Sequence, residues 1–323
     1  MRVAVTGATG TIGRAVVAAL VARGDDVTAL SRDAERARRT LAGDGAGAGG
    51  GAAAGAGGVE AVAWPDPKSE PAPAEALRGR DAVVHLLGEQ MGQRWSDDVK
   101  REIRDSRILA TRNLVAALAA LSEGERPRVL LSGSGAGWYG PRGDERLDES
   151  APGGDDFVAR VAEDWEAEAR RAEELGVRVV RNRTGVVLAE SGGALEKMLP
   201  PFRAGVGGPV AGGRQYVPWV HLDDVVGAIL FELDTEAAGG PINLTAPEPV
   251  TNGELSKALG RVLRRPAIAP VPALALKLLY GEMAQIVTTG QRAVPARLTE
   301  LGYRFRWPEL EPALRDATGR RGA

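Results

Sequence analysis

Residues 2–6, RVAVT, are a short apolar run ending at a glycine, the pattern of a buried strand. Behind them Ile12, Val16, Ala19, Leu20 and Val21 recur at helical spacing over 12–23. DDVTAL at 25–30, VEAVAW at 59–64, DAVVHLLG at 81–88, RVLLSGSG at 128–135 and VRVVRNRTG at 177–185 repeat the strand pattern. Helical patterns over 96–121 and 155–175 separate the later ones, the first opened by Ser96 as N-cap with Asp97 and Asp98 in its first turn. Strands alternating with helices predict right-handed crossovers and an α/β fold, a doubly wound parallel sheet.

Two regions break the rhythm. GDGAGAGGGAAAGAGG, residues 43–58, holds no large apolar side chain, so it cannot offset the entropy of ordering. It reads as a floppy surface insertion between a helix and the third strand. From about residue 190, glycine and proline mix with aromatic and charged residues through 197–224, the material of a binding loop on a rigid scaffold. Helical patterns return beyond Pro247. The expected organisation is a nucleotide-binding domain over 1–188 and a smaller C-terminal substrate lobe over 189–323, interleaved with it.

Composition narrows the classes. The chain has 323 residues, a net charge of −2 and no basic block, which argues against a nucleic-acid partner. It has no cysteine and two histidines, His85 and His221, so no metal site is expected. No apolar stretch is long enough to span a membrane, and the N-terminal run is too short for a secretory leader. A soluble cytoplasmic protein, monomer or homodimer, acting on a small molecule is the default.

Gly7, Gly10 and Gly13 stand directly after a strand and before a helix. A turn there needs φ > 0, the backbone must approach a pyrophosphate closely, and the helix N-terminus then faces phosphate charge. About 20 residues on, where an acid would bind ribose hydroxyls, the chain offers Ser31 and Arg32. A guanidinium fork suits a 2′-phosphate, which points to NADP(H), although Asp33 is one residue later and suits ribose.

The glycine run, HLLGE at 85–89, SGSGAGWYG at 132–140, RTGVVL at 183–188, the block 197–224 and GQRAVPARLTELGYRFRW at 290–307 occur in one order. In that order the chain resembles the epimerase-family subgroup of the short-chain dehydrogenase/reductases, the atypical extended proteins with a short C-terminal domain of unknown function. The resemblance implies a Rossmann-like fold, NADP(H) binding and an oxidoreductase or epimerase label. It implies that Gly7, Thr9, Gly10, Thr11, Ile12 and Gly13 cradle the pyrophosphate and that Ser31 and Arg32 meet the 2′-phosphate. Leu87, Gly88 and Glu89 would pass beside the ribose and nicotinamide. Arg183, Thr184 and Gly185 would border the nicotinamide, and Ser134 matches the superfamily's substrate-binding serine.

The superfamily's proton relay, Tyr-x-x-x-Lys, is absent: Phe157 stands at the tyrosine's place and Val161 at the lysine's. Neither side chain can move a proton. Tyr139 is the nearest replacement donor, or else an ordinary structural tyrosine of its turn. Glu89 and His221 are further acid–base candidates, although satisfying a loop carbonyl is the commoner role for a histidine placed as His221 is. Glu166, Lys197, Arg203, Gln215 and Asp223 are other polar candidates; Asp223 and Asp224 read as N-cap and first-turn charges, and Trp165 and Trp219 as packing. The missing relay leaves a second class open, a non-catalytic dinucleotide-binding sensor.

Replacing 43–58 with a short Gly/Ser linker is expected to leave melting temperature and cofactor affinity nearly unchanged, since loop length alters closure entropy by only about 0.6 kcal/mol per doubling. A large loss in a thermal melt or a cofactor titration would show that the segment packs against something.

Overall fold

The computed structural model describes residues 1–43 and 58–320, so the insertion expected at 43–58 falls outside the described residues except at its two ends. Seven parallel strands form the central sheet: β1 (Arg2–Thr6), β2 (Asp26–Ser31), β3 (Val59–Ala63), β4 (Ala82–His85), β5 (Val129–Gly135), β6 (Arg178–Thr184) and β7 (Gly240–Leu244). Their spatial order is β3-β2-β1-β4-β5-β6-β7. The order reverses between β1 and β4, the switch point at which ligands of open α/β sheets bind.

Alternation along the strands splits the core into two layers. Val3 and Val5 of β1 face α1 (Thr11–Ala22), while Ala4 faces the opposite layer with Leu30, Val83 and Leu130. After α2 (Ala34–Gly43), that opposite layer is filled from α3 (Asp97–Ala119) by Leu114 and Leu118. Ser96 caps α3, its side chain accepting from the Val99 amide at 3.3 Å, as the sequence predicts. The helix expected over 155–175 divides into α4 (Phe157–Arg170) and a tighter turn over Arg171–Leu175, which stops at Gly176 in the left-handed region.

The sequence reading of 197–224 as a loop is corrected at its start. Helix α5 (Gly193–Arg203) continues through Pro200 and Pro201, because Leu195, Leu199 and Phe202 all bury on one face. They pack with Trp219, with α7 (Asn252–Leu263) and with α9 (Leu310–Ala317), giving the C-terminal region a core of its own. Between them in sequence, α6 (Leu222–Asp234) covers the first layer through Val225, Ile229 and Leu233, and leads into β7. Helix α8 (Ala273–Tyr280) buries none of its residues.

Asp224 fastens the C-terminal tail. Buried on α6, its carboxylate accepts from the backbone amides of Arg306 (2.6 Å) and Trp307 (2.9 Å) and lies 3.2 Å from the Tyr303 hydroxyl. It is therefore a staple between segments 82 and 83 residues apart, beyond the first-turn charge the sequence suggests.

Two buried titratable groups set opposite pH dependences. His85 on β4 lies between Thr6 Oγ1 (2.8 Å) and Thr111 Oγ1 (3.0 Å), and Thr111 in turn donates to the Arg107 carbonyl at 2.6 Å. Burial lowers its pKa to about 3, so the imidazole is neutral in the fold. An unfolded chain binds that proton below about 6.5, so this group's contribution falls as pH drops from there toward 3. Glu232 on α6 receives Asn182 Nδ2 at 2.8 Å, and burial pushes its pKa up to about 8. It is protonated when folded, and its contribution falls as pH rises from the ordinary carboxyl value of 4.5 toward 8. Glu232→Gln, which keeps the acceptor and removes the titration, should therefore gain melting temperature relative to the parent as pH rises from 5 to 8. A difference between the two proteins that is constant across that range would contradict a protonated Glu232.

Candidate functional site

Site residues gather at the carboxyl ends of the strands. Gly7, ending the β1 turn, sits at φ +66°, and a Cβ there would lie 2.7 Å from the Leu86 carbonyl oxygen. At Gly13 a Cβ would lie 2.1 Å from the Gly7 carbonyl oxygen, so only glycine lets α1 approach the turn this closely. Gly10 begins α1 with no side-chain cap and no acid in the first turn. The N-terminal amides of α1 are thus left to an anion, with Thr9 and Gly10 exposed and Thr11 and Ile12 half-buried around them.

At the end of β2 the structure separates the two candidates that the sequence left open. Asp33 Oδ1 accepts from the Arg36 amide at 2.9 Å, so its carboxylate is engaged at the start of α2. Arg32 is exposed, and no carboxylate among the described residues comes within 4.0 Å of it. Ser31 beside it is half-buried. These residues fit a phosphate-bearing adenosine ribose.

A cavity of about 450 Å³ opens beside the ends of β5 and β6. It brings together Ser134, Thr184 and Gly185 with Met198, Leu255, Ile286 and Val287 of the C-terminal region opposite, while Arg183 lies outside its wall. Its third wall is one face of α4: Phe157, Val158, Val161, Ala162 and Trp165. Both relay positions are therefore in the wall, and no cavity-lining residue of this stretch carries a phenol or an amine. Phe157 is held edge-on to Trp95 at 5.2 Å and under the Lys100 ammonium at 5.1 Å.

Beneath this wall lies a buried polar network centred on Glu166. Arg183 donates to it twice, at 2.8 and 3.1 Å, Ser134 Oγ donates at 2.8 Å, and Arg181 lies at 3.7 Å. The Arg183 guanidinium stacks over the Trp138 ring at 3.9 Å and lies 3.2 Å from the Tyr139 hydroxyl. That hydroxyl is also 2.8 Å from Asn243 Oδ1 on β7 and 3.0 Å from the Asp148 carbonyl.

Tyr139 is consequently not placed as a replacement proton donor. It is fully buried, its hydroxyl is shared among three protein partners, it does not line the cavity, and burial pushes its pKa up. His221 is corrected for a similar reason. It is buried as the N-cap of α6, Nδ1 accepting from the Asp223 amide at 3.1 Å, with Nε2 3.3 Å from Asp316. Desolvation lowers its pKa, and it too is absent from the cavity wall. His221, Asp223 and Asp316 form the one group of ligand-type side chains among the described residues, and Arg306 (3.2 Å) and Trp307 Nε1 (3.0 Å) already engage Asp223. Glu89 is tied into its own loop: its amide donates to the Ser106 hydroxyl oxygen, its carbonyl accepts from Arg107, and its carboxylate accepts from Gln93. Leu87 and Gly88 do lie between β4 and that loop, with Gly88 against the Arg107 guanidinium.

Two cavity residues escape the sequence reading. Tyr216 brings a half-buried phenol to the wall, its ring under Arg292 at 5.0 Å. Nothing in its pattern separates it from the other aromatic residues of its block. Arg107 did leave a signal: it interrupts the apolar stripe Ile103, Ala110, Leu114, Leu118 at the position a hydrophobic residue would occupy.

Residues 3–245 match the model of the NAD dependent epimerase/dehydratase family, and residues 271–317 match a domain of unknown function, DUF1731. A chloroplastic SDR39U1 homolog, an epimerase family protein of Arabidopsis thaliana, is 38% identical over 98% of this chain and 86% of its own length. The crystal structure of human SDR39U1 (isoform 2) with NADPH superposes with a TM-score of 0.82 at 33% identity, over 99% of both chains. UDP-glucuronic acid 4-epimerase of Bacillus cereus, solved with NAD, shares the fold at 15% identity, with a TM-score of 0.77 over 99% of this chain and 98% of that one. No helix among the described residues is long and apolar enough to cross a membrane. With a switch-point glycine turn, a seven-stranded parallel sheet and relatives aligned over nearly its full length, the chain belongs to the NAD dependent epimerase/dehydratase family.

Proposed function

We propose that the protein is an NADP(H)-dependent oxidoreductase acting on a small molecule bound in the apolar cavity. The observation that carries the reading is the division of roles after β2, where Asp33 is used by α2 and Arg32 is left facing out. The human relative solved with NADPH supports the same choice. In this reading the α1 amides hold the pyrophosphate and Arg32, beside Ser31, holds the 2′-phosphate.

When bound, NADPH supplies a hydride to an electrophilic carbon. The protein's part is to position that carbon, exclude water and deliver a proton. The α4 face excludes water through Phe157, Val161 and Trp165. Ser134 keeps its hydroxyl proton on Glu166 and so presents its oxygen only as an acceptor, which orients a substrate hydroxyl without acidifying it. The proton then falls to Tyr216, the phenol in the cavity wall. The apolar α4 face also favours a second reading, a dinucleotide-binding sensor that occupies the same groove without turnover.

Fluorescence titration should show NADPH binding at least about tenfold tighter than NADH, with the preference collapsing in Arg32→Ala, as expected for loss of a charge-assisted hydrogen bond. Equal affinities in the parent protein would remove the assignment.

On a carbonyl compound found by screening with NADPH, Tyr216→Phe should lower turnover by roughly 10²- to 10⁴-fold while cofactor affinity holds. Tyr139→Phe should instead lower the melting temperature, at a cost of about 1–3 kcal/mol from the partners it strands. An unchanged rate in Tyr216→Phe would exclude the phenol. NADPH binding with no turnover across a broad screen would favour the sensor.

A further inference from the structure

The cavity is apolar over most of its wall yet unbalanced in charge. Its two acids are engaged: Asp156 caps α4 by accepting from the Ala159 amide at 2.8 Å, and Glu282 pairs with Lys100 at 2.6 Å. Arg107 is the one basic side chain among the described residues that line it, and no described carboxylate lies within 4.0 Å of its guanidinium. Glu89, the acid whose charge acts on it, turns its carboxylate to Gln93.

Arg107 is nevertheless held firmly. Nη1 donates to the Ile103 carbonyl at 3.0 Å and Nη2 to the Glu89 carbonyl at 2.9 Å. The guanidinium lies 5.3 Å from the Trp165 ring, and Gly88 packs so closely that a Cβ there would come within 2.9 Å of Cζ. Two of its five N–H groups are used by these carbonyls, and the fork remains fixed at the wall. Burial lowers its pKa to about 10, which leaves it charged at neutral pH. A half-buried cation fixed at the cavity wall, with no carboxylate in ion-pairing contact and Glu89 acting on it only from a distance, is what a site for an anion requires.

We propose that Arg107 is the anion-recognising residue of the cavity and that the substrate carries a carboxylate or phosphate on an apolar body. The anionic group lies against the guanidinium, and the body fills the space between the α4 face and Ile286 and Val287. This deepens the oxidoreductase reading and rests on it only for the word substrate, because binding is measured without turnover.

The test uses octanoate and octanol, equal in chain and different in charge, titrated by calorimetry into the full-length protein with and without NADPH. Octanoate should bind at least about tenfold tighter than octanol, and the difference should weaken as KCl rises. Arg107→Gln should abolish the preference while NADPH affinity changes less than about twofold; Arg107→Lys, which keeps the charge but not the fork, should retain part of it. Equal binding of the two probes by the parent protein would overturn the proposal. So would a variant that keeps the octanoate preference but loses NADPH about tenfold, since the guanidinium would then serve the cofactor's phosphates. A parent protein that binds neither dinucleotide but prefers octanoate would sink the cofactor reading and leave Arg107's role standing.

Discussion

A carboxylate removed from water must be met by charge and hydrogen bonds at once, and Glu166 is the place where this chain meets that demand. It projects from α4 into a space closed by β5 and β6, and Arg183, Arg181 and Ser134 converge on it there. Arg183 then needs a flat neighbour and finds Trp138, and its remaining donors lead to Tyr139 and on to Asn243. One ion pair thus ties α4 to the ends of three adjacent strands. Removing either charge would strand the other in a dry interior, the costlier of the two ways to lose such a pair.

This arrangement decides what the cavity above can be. The serine has its proton committed, the tyrosine is committed below the floor, and the helix face offers only carbon and an indole. Polar chemistry at the cavity has to come from elsewhere: Arg107 on α3, and Tyr216, Asn252 and Gln285 from the C-terminal lobe. The C-terminal region joins the sheet through β7 and through the Asp224 staple.

The sheet was legible because β-alternation and helical spacing are periodic and local, and the glycine turn because only glycine satisfies both φ and contact at Gly7 and Gly13. The roles of polar residues were less so, since sequence position gives no direction. Tyr139 follows Ser134 closely in the chain but points into the network under β7. His221 ends an apolar run but is used as a helix cap, and Asp33 is separated from Arg32 by a cap that depends on where α2 begins. Prolines at 200 and 201 hid α5, where burial of Leu195, Leu199 and Phe202 overrides the missing donors. Arg107 was visible in principle, as a charge where the stripe called for a hydrophobic residue.

The chain's two imidazoles happen to sit in different parts of the molecule. His85 is locked between two hydroxyls where β1, β4 and α3 meet; since Thr111 gives its own proton to a carbonyl, the ring must hold its hydrogen on Nε2. His221 holds the junction of α6 with the C-terminal tail. In nuclear magnetic resonance each ring is therefore a native spectroscopic label, one for the nucleotide-binding sheet and one for the tail, with no other histidine to overlap them. Exchange of the shielded His85 ring proton with solvent would time the opening of the sheet's centre, and the His221 signals would report separately whether the tail detaches before it.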